Sequence, residues 1–236
     1  MYGYTIEKLF TSYSRTGERR FAPNLLLTFH FSMNETLIIF SRYPQPGTTK
    51  TRMIPALGAD GAARLQRKMT EHTLNTAKQL LLNRKIAIEI HFAGGDVELM
   101  RQWLGEDFQY VSQIVGDLGD KMRSAFDRAF GLDNQRVVII GIDCPDISSG
   151  ILNNAFDSLL SKDLVLGSAE DGGYYLIGLN HSIPQLFSNI NWGTKRVLKQ
   201  TKDIADKLDL QVHYLPTLSD VDRPEDLAIW QKYNSF

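Results

Sequence analysis

The feature that most constrains the fold is a short, strongly apolar run that ends at an acidic residue. Val137–Ile140 is followed directly by Gly141, Ile142 and Asp143. A β-branched run that stops at glycine and aspartate is typical of a buried strand that delivers a carboxylate to the carboxyl edge of a parallel sheet. Open α/β folds bind their ligands at that edge. The run therefore predicts an α/β fold with a ligand site at Asp143.

The chemistry of a single carboxylate at this edge suits a divalent cation. In proteins Mg²⁺ keeps several waters and commonly takes one or two carboxylates together with substrate phosphate oxygens. We therefore predict that Asp143 binds Mg²⁺ or Mn²⁺ against a substrate diphosphate. The alternative is that Asp143 or Asp146 caps a helix that begins near Ser148, and capping is the better interpretation for Asp146.

Composition excludes several classes of function. The chain has 236 residues, of which 43% are hydrophobic, and this is enough for one sizeable core. Its formal charge of −1 gives no electrostatic support for nucleic acid or an anionic membrane as partner. Its single cysteine, Cys144, excludes an intramolecular disulfide and favours a reducing, cytoplasmic location. The five histidines show no metal-ligand spacing, and Leu25–Phe31 is too short to span a bilayer.

Residues 1–32 differ from the rest because they lack clear helical or strand periodicity. Met33 stands just before a predicted first strand, so we expect one domain over residues 33–236 and an appended extension over residues 1–32. The alternative is a targeting peptide, which scattered arginines favour and interspersed glutamates disfavour.

From Thr36 onward, strand and helix patterns alternate, which predicts an α/β sandwich around a mainly parallel sheet. The helix over Leu118–Phe130 has one clear apolar face. The other predicted helices cover residues 58–82, 151–160 and 197–208, with one more at the carboxyl terminus. The predicted strands cover residues 34–40, 86–92, 110–115, 137–143, 164–167, 174–177 and 212–215.

A cationic loop follows the first predicted strand. Two prolines and a glycine in Ser41–Arg52 stop regular structure and deliver hydroxyl and cationic groups beside the strand end. Lys50 can act as a point charge on a diphosphate, Arg52 can grip it bidentately, and the backbone around Gly47 can add donors. The loop lacks the glycine spacing of the P-loop. A solvated surface loop is the alternative.

Two acidic segments precede helices. Asp117 either caps the helix over Leu118–Phe130, which is the safer interpretation, or faces a nucleotide. Near the carboxyl end, Asp220 and Asp222 precede a helix that is predicted to start at Pro224. One of these two aspartates can complete a metal site with Asp143, and the other can complement the helix dipole.

A second candidate edge carries acidic, glycine and aromatic residues together. Glu170 and Asp171 are followed by Gly172 and Gly173, which permit close approach to a ligand, and then by Tyr174, which can stack on a ring. A tight hairpin between two strands explains the same residues equally well.

These segments together resemble a known family. The motifs PQPGTTKTR, GDLGDKM, GIDCPD, EDGGYYLIGL, NWGT and DVDRPEDL occur in the order found in the glycosyltransferase-like radical-SAM/selenodomain-associated transferase 1 family. That family is similar to the guanylyltransferase of coenzyme F420 synthesis and shares the GT-A fold of nucleotide-diphospho-sugar transferases. The match spans about Glu35 to Trp230, and several motifs in order are more specific than any one alone.

The resemblance implies a three-layer α/β/α sandwich with a mainly parallel mixed sheet. It implies a nucleotide-binding amino-terminal half with Lys50 and Arg52 on phosphates and Asp143 on the metal, and an acceptor region around residues 170–175. The partners would be a nucleotide-activated donor and a small-molecule acceptor.

Three functions remain open on the sequence. In glycosyl transfer, Asp171 or Glu170 would serve as base for an acceptor hydroxyl. In nucleotidyl transfer, Asp143 and Asp222 would hold the metal while Lys50 stabilises the α-phosphate together with the loop arginine. The third reading, a nucleotide-binding domain without turnover, is the least favoured, because cations and carboxylates both lie at the expected ligand edge.

Overall fold

A mixed sheet forms the centre of the computed structural model, which describes residues 34–233. The predicted extension over residues 1–32 and the predicted start at Met33 lie outside the described residues. The strands are β1 (Glu35–Arg42), β2 (Ala87–Ala93), β3 (Gln109–Ser112), β4 (Arg136–Ile140), β5 (Leu164–Ala169), β6 (Tyr174–Leu179) and β7 (Val212–Leu218).

The seven strands are arranged in the order β3-β2-β1-β4-β6-β5-β7. Within the described residues, β6 alone runs antiparallel to its neighbours, β4 and β5, and every other pairing is parallel. The carboxyl ends of the six parallel strands therefore open onto one edge of the sheet.

Helices cover both faces of this sheet. They are α1 (Ile54–Leu80), α2 (Val97–Leu104), α3 (Leu118–Phe130), α4 (Ser149–Ser158), α5 (Val197–Lys207) and α6 (Leu227–Gln231). Short 3₁₀ segments lie at Thr51–Met53, Pro184–Phe187 and Pro224–Asp226. None of the helices in residues 34–233 is both long and apolar enough to cross a membrane.

The alternation of side chains along β1 shows how the layers form. Successive strand residues point to opposite faces. Leu37 and Ile39 are buried in one core with residues of α1, α2 and α4, whereas Ile38 is buried in a second core with residues of α3 and α5. The predicted three-layer sandwich with a mainly parallel mixed sheet is confirmed.

The element predictions differ from the structure in a few places. The bounds of α3 are those predicted. The helix predicted from residue 58 is the part of α1 after a kink, since Gly58 has the non-helical angles φ 68° and ψ 170° and follows a short helical turn that begins at Ile54. β4 ends at Ile140, so Asp143 lies in the following loop and not at the strand end itself. Helix α2, whose amino terminus Asp96 caps by accepting a hydrogen bond from Leu99 N, was not predicted.

Candidate active site

An open cavity of about 810 Å³ lies at the carboxyl edge of the sheet. Its volume is in the range of about 300–1,000 Å³ that is common for small-molecule sites. Residues from both halves of the chain line it, and they include Arg42, Lys50, Arg52, Gln66, Lys121, Asp143, Asp171, Tyr174, Trp192, Asp220 and Asp222. Most of the predicted site residues therefore share one cavity.

Lys50 links the loops that follow β1, β4 and β7, and it lines the cavity. Its ammonium donates to Asp143 Oδ1 at 2.8 Å and to the Val221 carbonyl at 2.6 Å. The Val221 amide in turn donates to the Asp143 carbonyl at 2.8 Å. The Lys50 side chain is 4% exposed, whereas that of Asp143 is 50% exposed, so the carboxylate faces the cavity from above a buried cation. Lys50 adopts a left-handed conformation (φ 42°), which is uncommon outside glycine and marks a constrained position.

Arg52 forms a second ion pair across the same loops. Its Nη1 donates to Asp222 Oδ2, and this contact raises the pKa of the guanidinium. The Arg52 side chain is 61% exposed, so it keeps donors available for a ligand. Asp226 Oδ2 accepts from the amides of Asp222 and Arg223, and the loop that carries Asp222 is thereby fixed at the start of the last helical segment.

Asp220 and Asp171 form no direct ion pair with any residue in 34–233, although both lie near enough to Arg52 to raise the pKa of its guanidinium further. Burial raises the pKa of Asp220, and the neighbouring carboxylate of Asp171 raises it further. The sequence left Asp220 as the alternative to Asp222 for the metal site, and both line the cavity.

The turn between β5 and β6 presents Asp171 to the cavity. Gly173 N donates to Asp171 Oδ1 at 2.8 Å, which holds the carboxylate against its own turn. Gly172 has φ 90°, and a Cβ there would lie 2.5 Å from the Lys195 carbonyl, so the turn needs glycine at this position. Glu170 points elsewhere, because Ser219 Oγ donates to its carboxylate at 2.7 Å and it does not line the cavity.

An aromatic wall stands beside this turn. Tyr174 and Trp192 meet edge to face with ring centroids 6.5 Å apart, and burial raises the pKa of the Tyr174 hydroxyl. Trp192 also lies over Gly119 of α3, where a Cβ would be 2.5 Å from the indole Nε1. The wall therefore depends on a contact between α3 and the segment after β6.

Two of the predicted nucleotide-binding residues lie outside the cavity lining. Asp117 caps α3 in a capping box: Asp120 N donates to Asp117 Oδ1 at 2.9 Å, and Asp117 N donates to Asp120 Oδ2 at 3.3 Å. Capping was the safer of the two interpretations of Asp117 from the sequence. Gly47 shapes the loop with φ 80°, while its neighbour Thr48 lines the cavity.

Sequence reasoning did not single out Lys121 and Trp192, although both line the cavity. The signal for Lys121 was its place in the motif GDLGDKM beside the predicted cap. Trp192 lies in NWGT, whose relation to the site depends on a long-range contact with α3 that no local pattern encodes.

The donor set fits a divalent cation that is completed by substrate oxygens. Within residues 34–233, no three His, Cys, Asp or Glu side chains are grouped so that they could hold a metal by themselves. Asp143, Asp220 and Asp222 nevertheless line one cavity, and carboxylate oxygens are the ligands that Mg²⁺ and Mn²⁺ prefer. Two carboxylates with phosphate oxygens are sufficient for Mg²⁺.

The chain is similar to one protein family and to several solved structures. The model of the family "Uncharacterized protein conserved in bacteria (DUF2064)" matches residues 73–194, a segment that contains Asp143 and Asp171. No match was found among curated proteins. A crystal structure described as a "putative nucleotide-diphospho-sugar transferase" from Desulfovibrio desulfuricans G20 is 33% identical, with a TM-score of 0.79, over 86% of this chain and 88% of that chain.

More distant structures share the fold. Rv0371c of Mycobacterium tuberculosis, in complex with manganese, is 15% identical with a TM-score of 0.54, over 84% of this chain and 98% of that chain. A nucleotidyl transferase from Methanothermobacter is 11% identical with a TM-score of 0.59, over 84% of this chain and 96% of that chain. The fold is thus that of the nucleotide-diphospho-sugar transferases, as the sequence resemblance implied.

Proposed function

This chain belongs to the DUF2064 family, and on that premise we propose that it is a metal-dependent transferase that uses a nucleotide-activated donor, with a nucleotide sugar as the donor and a small molecule as the acceptor. The observation that carries this proposal is the composition of one cavity. The cavity combines the ion pairs Lys50–Asp143 and Arg52–Asp222, which we assign to the donor, with Asp171 and an aromatic wall, which we assign to the acceptor.

The residues of the two ion pairs would exchange partners when the donor enters. Asp143 and Asp222 would hold Mg²⁺ or Mn²⁺, and Lys50 and Arg52 would then turn their charge to the diphosphate. The metal, when bound, neutralises the charge that develops on a departing nucleoside diphosphate. Charge-assisted contacts from Arg52 suit this diphosphate, because its guanidinium is 61% exposed and presents several donors.

For the acceptor, Asp171 would accept a proton from an acceptor hydroxyl. Its carboxylate lines the cavity and is oriented by Gly173 N. Tyr174 and Trp192 offer aromatic surface to a ring of the acceptor. Glu170, which was the alternative base, is bonded to Ser219 outside the lining, so Asp171 is the better assignment.

Nucleotidyl transfer is the second candidate. Four cations line the cavity, Arg42, Lys50, Arg52 and Lys121, and this is enough positive charge for the triphosphate of a nucleoside triphosphate. The two reactions differ in product, since glycosyl transfer releases a nucleoside diphosphate and nucleotidyl transfer releases pyrophosphate.

The test is to incubate the protein and Mg²⁺ with panels of nucleotide sugars and nucleoside triphosphates, with a cell metabolite extract as the source of acceptor. Products are identified by mass spectrometry. Nucleoside diphosphate release that is lost in Asp143→Asn and Asp171→Asn supports glycosyl transfer. Pyrophosphate release with every nucleotide sugar left intact contradicts it. Asp203→Asn is the matched control, because Asp203 forms an i,i+4 surface pair with Lys199 on α5 and does not line the cavity.

A further inference from the structure

The cations of the cavity fall into two classes. Lys50 and Arg52 are each paired with a carboxylate. The Lys121 ammonium makes no hydrogen bond or ion pair with any residue in 34–233, and the Arg42 guanidinium makes one long contact, from Nη1 to the Thr48 carbonyl at 3.5 Å. Two of the four cations thus carry charge that the surrounding protein leaves without a carboxylate partner.

The local carboxylates of α3 are committed elsewhere. Asp117 and Asp120 satisfy each other's amides in the capping box, and the remaining oxygen of Asp120 faces Arg123 at 4.0 Å. Arg123 is exposed and does not line the cavity, whereas Lys121, two residues earlier, does. In the first turn of α3, Lys121 therefore lines the cavity, whereas Asp117 and Asp120 do not.

The position of Lys121 is also unfavourable for the helix itself. Lys121 is the fourth residue of α3, at the end of its first turn. The positive end of the helix dipole disfavours a cation in the first turn. A bound anion would remove this penalty, because it would interact favourably with both the ammonium and the helix terminus.

We propose that Lys121 and Arg42 form a second anion subsite, which takes a phosphate group of the substrate additional to the diphosphate held at Lys50 and Arg52. The proposal rests on the proposed function for the nucleotide, but it concerns two other residues that line the same cavity, Arg42 at the end of β1 and Lys121 in the first turn of α3. The phosphate is either the terminal phosphate of a nucleoside triphosphate or a phosphate carried by the acceptor.

The experiment compares Lys121→Gln and Arg42→Gln with the unsubstituted protein by titration calorimetry in Mg²⁺. The first arm titrates uridine, cytidine and guanosine mono-, di- and triphosphates. The second arm titrates inorganic phosphate into protein that is saturated with the nucleoside diphosphate that binds best. Each variant removes one charge-assisted contact, so the proposal requires a loss of affinity of about tenfold. The loss should appear in one arm, either for the triphosphate but not the mono- and diphosphates, or for inorganic phosphate.

Controls separate this subsite from general charge effects and from the donor site. Arg123→Gln removes one charge from the same helix outside the cavity and should change neither arm. Lys121→Arg should restore most of the affinity. Unchanged binding in both arms, or an equal loss for the mono-, di- and triphosphates, would overturn the proposal. Failure of the proposed function appears differently, as nucleotide binding that Asp143→Asn does not alter.

Discussion

Gly119 shows how a single residue decides the shape of the candidate site. It is the second residue of α3, and a Cβ at this position would overlap the Trp192 indole, with 2.5 Å to Nε1 and 2.7 Å to Cε2. The aromatic wall can therefore stand where it does because this position lacks a side chain. Gly150 is the second residue of α4, and its added Cβ would meet nothing nearer than Ser148 Oγ at 3.7 Å.

Gly119→Ala should therefore not give the gain in stability that this substitution usually gives in a helix. Alanine in a helix is favoured over glycine by about 0.8–1.0 kcal/mol, yet here it must displace the indole. We expect Gly119→Ala to shift the tryptophan fluorescence of the protein and to weaken acceptor-dependent turnover, without a gain in melting temperature. Gly150→Ala is the matched control and should leave fluorescence unchanged. An unchanged spectrum in Gly119→Ala would show that Trp192 does not rest on α3.

Asp220 and Asp222 are the two candidates for the second ligand of the proposed metal site. Asp222 is tied to Arg52, whereas Asp220 has no ion-pair partner among the described residues. We expect Asp143→Asn and Asp222→Asn each to reduce Mn²⁺-dependent nucleotide affinity by at least about tenfold, because a coordinating charge is lost. Calorimetry with and without Mn²⁺ measures this directly. A loss in Asp220→Asn with none in Asp222→Asn would transfer the ligand role to Asp220.

At the scale of elements, an ion network at the opposite edge of the sheet fastens β1 to its surroundings. Glu35 accepts from Arg84 of the α1–β2 connection, at 2.8 Å from Nη2 to Oε1, and from Arg136 of β4 at 2.6 Å. The Glu35 side chain is 8% exposed. Burial alone would raise the pKa of Glu35, but the hydrogen bonds from Arg84 and Arg136 outweigh it and lower the pKa below its ordinary value of 4.5.

This network predicts a pH-dependent contribution to stability. A carboxyl whose pKa is lowered by folding stabilises the protein above its unfolded pKa, and that contribution is lost as the pH falls through the folded pKa. Glu35→Gln should therefore cost about 1.5–3 kcal/mol at pH 7, since charged hydrogen bonds are lost. The difference from the unsubstituted protein should narrow below about pH 4.5. Urea unfolding at several pH values tests this, and a difference that stays constant from pH 7 to pH 3 would contradict it.

The element pattern was predictable where hydrophobic periodicity is strong. The helix over Leu118–Phe130 and the seven strands were anticipated, since buried faces leave a regular mark on the sequence. Helix α2 was missed because it is short and only Met100 in it is buried. The end of β4 was placed too late, since the apolar Ile142 extends the run although its backbone has left the sheet.

The site was predictable as a set of residues but not as a set of contacts. Asp143, Lys50, Arg52 and Asp171 were named because acidic and cationic groups follow strand patterns, and all of them line the cavity. Their pairing was not predictable, because Lys50 and Asp143 lie 93 residues apart and meet through the order of the strands. Local patterns likewise could not show which cations remain without a carboxylate partner.

At the scale of the whole molecule, the sheet order brings three distant loops to one edge and lets their charges neutralise one another. The loop after β1 supplies Lys50 and Arg52, the loop after β4 supplies Asp143, and the loop after β7 supplies Asp222. A buried cation that loses its partner is costly. A metal that binds alone to Asp143 would leave the 4%-exposed Lys50 ammonium without its carboxylate, and a diphosphate that binds alone would meet two carboxylates.

This arrangement predicts that metal and nucleotide bind cooperatively. With both bound, the carboxylates would face the metal and the cations would face the phosphates, so neither set of charges would be left uncompensated. By linkage, each ligand must raise the affinity of the other by the same factor, and coupling of about 1–3 kcal/mol corresponds to about 5–150-fold. Calorimetry with Mn²⁺ alone, a nucleoside diphosphate alone, and each in the presence of the other measures both factors.

Lys50→Met separates this coupling from simple attraction between metal and phosphate. The variant frees Asp143 of its internal cation, so Mn²⁺ alone should bind more tightly than to the unsubstituted protein, while nucleotide binds more weakly and the coupling factor falls. Lys199→Met is the matched control, because Lys199 forms an exposed pair on α5 outside the cavity and should alter none of the three constants. If Mn²⁺ alone bound equally well with and without Lys50, the Lys50–Asp143 ion pair would not weaken metal binding. Metal and nucleotide would then be coupled through their direct contact alone.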